Sequence, residues 1–265
     1  MKEISIIVPF KAKADIFLHS LLKTKYNEKY EVILVSDGLN NEETKKLKDT
    51  YQNKDIKFIE TPECNKIGRL RNIGISNSTT ENYFFIDSDC YIFQSTLDLM
   101  LYYSRKYNIV KGKNIFFGRN YFSMLDANLR DSRYMSDPNF AYCPNLMINK
   151  EIFERIGYFD ENYFYGSDGE FARRIKENHL NVKFTDKIKV IHDCTDKSFD
   201  IFNKWIAYGR GRYKRYRNSS LLERINSFFE PNLYDIKKGV THNVTYSLCL
   251  LARGLGFILE SMKNE

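Results

Sequence analysis

The sequence predicts an α/β fold with a mainly parallel central sheet, flanking helices and a helical C-terminal extension. Two observations lead to this fold class. In the first third of the chain, short apolar runs alternate with amphipathic stretches, which is the pattern of βαβ units. From about Phe199 onward, the apolar residues recur at helical spacing instead. We therefore expect an α/β domain over residues 1–195 and a basic helical extension, packed on that domain, over residues 196–265.

Four apolar runs in the first third are interpreted as buried strands. In chain order they are EISIIVP, YEVILVSD, DIKFIE and NYFFID. The stretches between them have the spacing of helices, and they are ADIFLHSLLKTK, NEETKKLKDTYQ and IGRLRNIGISNS. Right-handed crossovers place the carboxyl ends of such strands along one edge of the sheet. Ligands of open α/β sheets bind at that edge, so we expect the functional site there.

The middle of the chain has a less regular pattern. STLDLMLYYSRKY predicts a helix, IVKGKNIFFG a strand, and CPNLMINKEIFERIGYFDENY a strand, a helix and a turn. A helix begins in GSDGEFARRIKENH, and NVKFTDKIKVIHD is either a strand pair or one bent strand. Near the C-terminus, VTYSLCLLARGLGFILESM is apolar, but it is below spanning length and is interrupted by Arg253. We expect that segment to form a buried or interfacial helix.

The formal net charge of +7 favours anionic partners. Much of this charge lies in a basic segment, NKWIAYGRGRYKRYRNSS, which has no acidic residue. Its cations are Lys204, Arg210, Arg212, Lys214, Arg215 and Arg217. The segment is either a solvated helix or a contact for an anionic membrane or a lipid diphosphate. We expect no nucleic-acid partner, because no recognised nucleic-acid-binding motif accompanies the charge.

Cysteine usage and the N-terminus predict the compartment. The five cysteines stand at irregular spacings without a C-x-x-C pair, which indicates reduced thiols. The first residues, MKEISIIVPF, lack the long apolar region of a signal peptide. We therefore expect a cytoplasmic protein, with peripheral contact at the inner face of the membrane as a further expectation.

Polar residues follow three of the predicted strands, and we expect them to meet at one edge of the sheet. They belong to three clusters, Pro9-Phe10-Lys11, Ser36-Asp37-Gly38 and the run Asp87-Ser88-Asp89. Two carboxylates this close together are costly to bury unless a cation accompanies them. The run therefore predicts either a site for Mn²⁺ or Mg²⁺ or a fully solvated turn.

Other candidates come from their positions in the predicted elements. Asp37 could accept a hydrogen bond from a nucleotide base or ribose, or it could cap a plain turn. Arg69 and Arg71 begin a helix, where either side chain could face phosphate or solvent. Asp168 begins another helix, as an N-cap or as a catalytic base at a cavity edge. His192 ends a strand, and its imidazole suits Mn²⁺ where carboxylates are near.

The order and spacing of these motifs resemble those of the family 2 glycosyltransferases, which have a GT-A fold. The motifs are SIIVPF, EVILVSDG, GRLRNIGIS, YFFIDSD, CPNLMINKEIFERIGYFDENYFYGSDGEFARRI and KVIHD, within residues 3–195. The resemblance implies an inverting, metal-dependent hexosyl- or N-acetylhexosaminyl-transferase that uses a nucleoside diphosphate sugar, with UDP as the expected nucleotide. The acceptor would be a glycan, a lipid-linked glycan or a protein, in bacterial surface glycan or glycoconjugate synthesis.

Position and resemblance together assign a role to each candidate residue. Donor binding is assigned to Pro9, Lys11, Asp37, Arg71, Asp87 and Ser88. The metal ligands are Asp87, Asp89 and His192, and the catalytic base is Asp168. The metal is expected to be Mn²⁺ or Mg²⁺.

The chain departs from the pattern of this family at three places. Residues 9–12 read PFKA instead of P-T-Y-N, Ser36 precedes Asp37 where a second Asp is usual, and Ser167 replaces the usual Glu before Asp168. Two alternatives stay open. A nucleotidyltransferase acting on a sugar phosphate would need a Gly-rich loop, which PFKAKAD lacks. A non-catalytic nucleotide- or carbohydrate-binding module would not need the three intact aspartates.

Overall fold

The computed structural model describes eight stretches of the chain. They are residues 2–11, 14–26, 29–38, 42–52, 54–136, 140–194, 200–227 and 244–263. The chain divides into two compact units. The first comprises Met1–Ile115, Pro138–Glu161 and Asp168–Asp193, and the second comprises Phe116–Asp137, Asn162–Ser167 and Cys194–Glu265. The predicted domain boundary after residue 195 lies outside the described residues.

The described stretches contain strands and helices in alternation, as the sequence pattern predicts. The strands are β1 Ile4–Phe10, β2 Tyr30–Asp37, β3 Ile56–Thr61, β4 Asn82–Phe85, β5 Cys90–Ile92, β6 Ile109–Gly118, β7 Leu146–Asn149 and β8 Lys183–Cys194. The helices of the first half are α1 Asp15–Leu22, α2 Glu42–Tyr51, α3 Ile67–Ser76, α4 Gln94–Ser104 and α5 Tyr121–Ser136. The later helices are α6 Lys150–Ile156, α7 Ser167–Glu177, α8 Asp200–Tyr216, α9 over residues 221–227, and α10 Val244–Ser261.

The strands form one mixed sheet in the order β3-β2-β1-β4-β7-β6-β8-β5. Parallel pairing joins β3, β2, β1 and β4, which are the four strands of the predicted βαβ series. β7 pairs antiparallel with both β4 and β6, and β5 pairs antiparallel with β8. The predicted α/β fold class with flanking helices is confirmed, with antiparallel strands added to its parallel part.

Burial explains why the first strands read as continuous apolar runs. Every residue of β1 and β2 is buried. Side chains alternate between the two faces of a strand, so Ile6 and Val8 join one apolar cluster and Ile7 joins another. Helices cover both faces of a parallel sheet, which removes the polar face that would otherwise interrupt the run. Phe17 and Leu21 of α1 contribute to the same cluster as Ile6.

The second unit has a core of its own. Leu125, Ile201, Trp205 and Cys249 form a buried apolar cluster. Beside it, Asp126 is fully buried and accepts hydrogen bonds from Lys204 Nζ at 3.0 Å and from Trp205 Nε1 at 3.2 Å. Its carboxylate also forms an ion pair with Arg130, whose Nε lies 2.9 Å from Oδ2.

Helices α8 and α10 approach each other closely at two glycines. A Cβ atom on Gly209 would lie 1.9 Å from the carbonyl oxygen of Arg253, and one on Gly256 would lie 1.9 Å from that of Ile206. Only residues without a side chain allow backbones to come this near. In the part of the chain that the structure describes, none of the helices combines the length and the apolar character needed to cross a membrane.

Candidate active site

The parallel register brings three of the predicted polar ends to the same edge of the sheet. β1 and β2 pair with Phe10 opposite Ser36, and β1 and β4 pair with Ile7 opposite Phe85. Lys11, Asp37 and Asp87 follow or end these strands, so they occupy one edge. Pro9 lies within β1 and is buried. The predicted convergence at the carboxyl edge is therefore observed.

Asp37 organises a turn at this edge. Its Oδ1 accepts the backbone N–H of Cys64 at 2.7 Å and its Oδ2 accepts that of Asn65 at 2.9 Å. Lys11 joins the same turn, because its Nζ donates to Glu63 Oε1 at 2.6 Å and to Asn65 Oδ1 at 2.7 Å. The Lys11 ammonium also holds the pKa of Glu63 below its ordinary value. The two candidate donor-binding residues thus share one loop.

Arg71 holds Asp87 from within the core. It lies on α3 and is buried, and its Nη2 donates to Asp87 Oδ1 at 3.1 Å. The guanidinium also lies 5.6 Å from the centre of the Phe159 ring. Burial alone would lower the pKa of Arg71, but Cys143, Asp87 and Asp168 act the other way and hold it above its ordinary value. Arg71 therefore carries a fixed positive charge at this site.

Strand pairing places His192 beside the acidic run. β5 and β8 pair antiparallel with Cys90 opposite His192, and Asp89 immediately precedes Cys90. His192 Nε2 lies 3.3 Å from Asp89 Oδ1 and 3.6 Å from Asp87 Oδ2. His192, which is distant in sequence, therefore lies close to Asp87 and Asp89, and all three were predicted as metal ligands.

The residues of this cluster fit a hard divalent cation. Carboxylate oxygens with one imidazole nitrogen are donors that suit Mn²⁺, and carboxylates suit Mg²⁺. Asp89, Cys90 and His192 have ligand atoms within 4.8 Å of one another. Cys90 is the poorer donor of these three, because burial first and the nearby Asp89 carboxylate second raise the pKa of its thiol well above the ordinary value. The carboxylates of Asp87 and Asp89 with His192 are the better set.

Ser88 and Asp168 are located by their burial and by a hydrogen bond of each. Ser88 is half-buried between the two aspartates, and its carbonyl oxygen accepts the N–H of Phe17 at 3.4 Å. Asp168 is half-buried in the first turn of α7, and its Oδ1 accepts the N–H of Gly169 at 2.8 Å. The carboxylates of Asp87 and Asp168 both act to hold the pKa of Arg71 above its ordinary value.

Glu170 has a structural contact that separates it from Asp168. Both of its carboxylate oxygens accept hydrogen bonds from Arg174, each at 2.8 Å. Arg174 also donates to the carbonyl oxygens of Tyr158, at 2.7 Å, and of Ile156. This bidentate pair fixes α7 to the segment after α6. Glu170 therefore holds the helix that carries Asp168.

Sequence reasoning missed two buried polar residues that lie beneath the cluster. Lys111 of β6 donates from Nζ to the carbonyl oxygen of Pro144 at 2.7 Å. Burial lowers the pKa of Lys111 to about 8, while nearby acidic groups that include Asp168 and Asp87 act in the opposite direction. A lysine inside an apolar strand, as in IVKGKN, is the signal that could have found it.

Asn145 is the second missed residue. It is fully buried, and its backbone N–H donates to Phe85 at the end of β4 at 3.0 Å. Its Nδ2 donates to Lys113 of β6 at 3.1 Å and to Ile188 of β8 at 3.2 Å. Asn145 therefore connects three strands on which the acidic run, Lys111 and His192 depend for their positions. The motif CPN gave no local sign of this role.

Comparisons with known proteins identify the family of the chain. Residues 5–157, more than half of the chain, match glycosyl transferase family 2. The chain belongs to this family. The family predicted from the motifs is therefore confirmed, and family 2 membership does not favour the nucleotidyltransferase alternative.

Two curated relatives of this family 2 chain come from bacteria. It is 28% identical over 192 residues to the dTDP-rhamnosyl transferase RfbF of Shigella flexneri, covering 66% of this chain and 64% of that protein. It is 26% identical over 72 residues to the succinoglycan biosynthesis protein ExoA of Rhizobium meliloti (strain 1021), covering 27% of this chain and 22% of that protein. The chain thus spans less than two thirds of the length of either relative.

Solved structures share the fold. The mannosyltransferase PcManGT from Pyrobaculum calidifontis, in complex with GDP-Man and Mn²⁺, gives a TM-score of 0.68 at 12% identity, over 99% of this chain and 88% of that one. S. aureus TarS 1-349 in complex with UDP-GlcNAc gives 0.59 at 18% identity, over 95% and 79%. At these identities the likeness shows that the family 2 chain has the fold of these transferases.

Proposed function

We propose that this chain transfers a sugar from a nucleoside diphosphate sugar to a hydroxyl group of an acceptor, with inversion at the anomeric carbon. The observation that carries the proposal is the cluster of Asp87, Asp89 and His192 beside the buried Arg71. It lies at the edge of the sheet where ligands of such folds bind. Family 2 membership supports the same reaction.

On the donor side of the reaction, the site must stabilise the nucleoside diphosphate that leaves. Asp87, Asp89 and His192 would hold Mn²⁺ or Mg²⁺, which neutralises negative charge on the diphosphate as the glycosidic bond breaks. Arg71 fixes the carboxylate of Asp87 by the 3.1 Å hydrogen bond and supplies a positive charge that burial keeps close to the site. Ser88 lies between the two aspartates and is assigned a contact with the donor.

The acceptor side of the reaction is assigned to Asp168. Its carboxylate removes the proton from the acceptor hydroxyl, and that oxygen forms the new bond to the anomeric carbon. The bond from the anomeric carbon to the phosphate oxygen breaks on the opposite face, so the configuration inverts. The Glu170–Arg174 pair in the same helix keeps α7 in place during this step.

The nucleotide is assigned to the loop that Asp37 and Lys11 organise. Each oxygen of the Asp37 carboxylate accepts one backbone N–H and can accept a further hydrogen bond, as from the N–H of a pyrimidine base. Pro9 is buried near the end of β1, the strand that Lys11 follows. UDP is the expected nucleotide, and dTDP is the second candidate because a dTDP-rhamnosyl transferase is among the relatives. A role in bacterial surface glycan synthesis agrees with the succinoglycan protein that is also a relative.

A panel of nucleotide sugars tests the proposal directly. Release of nucleoside diphosphate would be measured from UDP-, dTDP- and GDP-sugars, with Mn²⁺, with Mg²⁺ and with a chelator. We expect release from one donor class, stimulated by an added acceptor and abolished by chelation. Binding of nucleotide sugars without release in any combination would favour the non-catalytic module instead.

The predicted membrane contact rests on fewer cations than the sequence suggests. Lys204 pairs with Asp126, and both Arg212 and Arg215 are buried. Arg210, Lys214 and Arg217 reach the surface to different extents. We keep peripheral contact with an anionic membrane as a proposal that needs only these three cations. Sedimentation with anionic and neutral liposomes at low salt tests it, and equal association with both would contradict it.

A further inference from the structure

The second unit contains a cavity that the proposed reaction does not use. Its volume is about 390 Å³, and α8, α10 and the loop over residues 162–167 provide its walls. The residues that matter for its chemistry are Phe164, Tyr165, Arg210, Lys214, Glu260 and Lys263. A cavity of this size is in the range that holds a small ligand.

The charge of the cavity is mainly positive. Arg210, Lys214 and Lys263 line it together with one carboxylate, that of Glu260. The Glu260 carboxylate lies 3.5 Å from Lys214 Nζ and 4.0 Å from Lys263 Nζ. Three cations facing one carboxylate leave an excess of positive charge, and clustered cations with mobile N–H donors are typical of phosphate sites.

The loop side of the cavity is aromatic. Phe164 and Tyr165 expose about half of their surfaces, 54% and 49%. Large exposed rings at the wall of a cavity offer flat apolar surface to a ligand such as a sugar ring. The loop is held to α8, because Arg215 Nη2 donates to the carbonyl oxygen of Gly166 at 3.3 Å and the Tyr165 ring packs edge-on to Tyr208. The aromatic wall is therefore attached to the helix that carries the cations.

We propose that this cavity binds the phosphate group of a phosphorylated glycan. The phosphate contacts Arg210, Lys214 and Lys263, and the adjoining sugar packs on Tyr165. The sugar is inferred from the proposed sugar transfer, whereas the phosphate site itself does not rest on it.

The phosphate can belong to a soluble phosphorylated glycan or to a lipid-linked one. A diphosphate that carries a prenyl chain distinguishes these two sources from each other.

Calorimetric titration with sodium pyrophosphate in the presence of EDTA tests the phosphate site. Chelation removes metal from the donor site, so binding there is suppressed. We expect the Arg210→Gln variant to bind about tenfold more weakly or worse than the natural chain, with partial recovery in Arg210→Lys. Arg217→Gln removes the same charge near the end of the same helix but outside the cavity lining, and we expect a change of no more than about twofold.

Equal pyrophosphate affinity in the natural chain and in Arg210→Gln would overturn the proposal. Thermal unfolding of each variant shows whether it is folded, and Lys263→Gln replaces Arg210→Gln if the latter unfolds. Asp89→Ala separates the two sites, because it should abolish metal-dependent UDP binding and leave pyrophosphate binding in EDTA unchanged. Loss of pyrophosphate binding in Asp89→Ala but not in Arg210→Gln would contradict the cavity and leave the proposed function intact.

Farnesyl diphosphate identifies the source of the phosphate. Tighter binding than pyrophosphate would indicate a lipid-linked glycan. Equal binding of the two probes would indicate a soluble phosphorylated glycan. If UDP fails to bind under any condition while the Arg210 dependence holds, the phosphate site stands and the proposed transfer falls.

Discussion

Each unit contains a cluster of charged groups, and the two clusters have opposite balances. In the second unit, the buried Asp126 faces two cations, Arg130 and Lys204, and also accepts a hydrogen bond from Trp205. In the first unit, the carboxylates of Asp87 and Asp168 act on Arg71 and Lys111, and that of Asp89 lies 3.3 Å from His192. In the cluster of the second unit, the charge of Asp126 is balanced without a ligand. The first has more carboxylates than cations among these named groups.

This difference separates a structural charge cluster from a functional one. A buried carboxylate with cations and donors on every side stabilises a fold and has little reason to bind anything else. Carboxylates that are partly exposed and outnumber their cations lower their mutual repulsion by recruiting a metal ion. Removing an aspartate should therefore unfold the protein in one cluster and remove function in the other.

The largest expected effect is on the transfer rate of Asp168→Asn. This substitution preserves the shape of the side chain but cannot accept a proton, so we expect a loss of about a hundred- to ten-thousandfold. Affinity for UDP and the unfolding midpoint should stay near those of the natural chain. Glu170→Gln is the matched control, because it breaks the pair with Arg174 and should lower stability. Near-normal transfer by Asp168→Asn would remove its assignment as the base.

The next largest expected effect is on stability, and it concerns the Asp126 cluster of the second unit. Asp126→Ala leaves Arg130 and Lys204 without their buried counter-ion, which should lower the free energy of unfolding by about 3–5 kcal/mol. Denaturant unfolding measures this loss. Asp131→Ala changes an exposed residue of the same helix and should cost no more than about 0.5 kcal/mol. A similar small loss for both variants would show that Asp126 is not needed for the fold.

The smallest effect separates binding from stability at the metal cluster. Asp89→Ala should weaken Mn²⁺-dependent UDP binding by about 10- to 100-fold, because one ligand of the ion is lost. Its unfolding midpoint should not fall, since the removed carboxylate is one of an excess. Asp98→Ala, at an exposed position of α4, is the control for charge alone. UDP affinity that is equal with and without chelator would contradict the metal role.

The sequence predicted the parts of the fold that depend on local pattern. β1 to β4 and the helices between them follow from apolar runs and helical spacing, because burial on both faces leaves a clear signature. The short strand β5 and the helix α5 were not predicted. For β8 the sequence left a strand pair and one bent strand open, and the structure has one strand. Antiparallel pairing of β7 between β4 and β6 depends on contacts between distant segments, which no local pattern encodes.

The residues of the site also divide into those that the sequence predicted and those that it did not. Asp87, Asp89 and His192 could be selected by residue type and by position at strand ends, and the structure brings them together. Lys111 and Asn145 were missed, because their importance comes from what they contact across strands. The roles assigned to the predicted residues stay predictions that the variants above test.

The glycine contacts between α8 and α10 set the behaviour of the cavity beside them. Because Gly209 and Gly256 bring the two backbones into contact, neither helix can slide past or roll against the other without a collision. The spacing between the α8 cations Arg210 and Lys214 and Lys263, just after α10, is therefore set by the glycine contacts. A fixed spacing favours ligands of matching size, and a methyl group at either glycine would change that spacing.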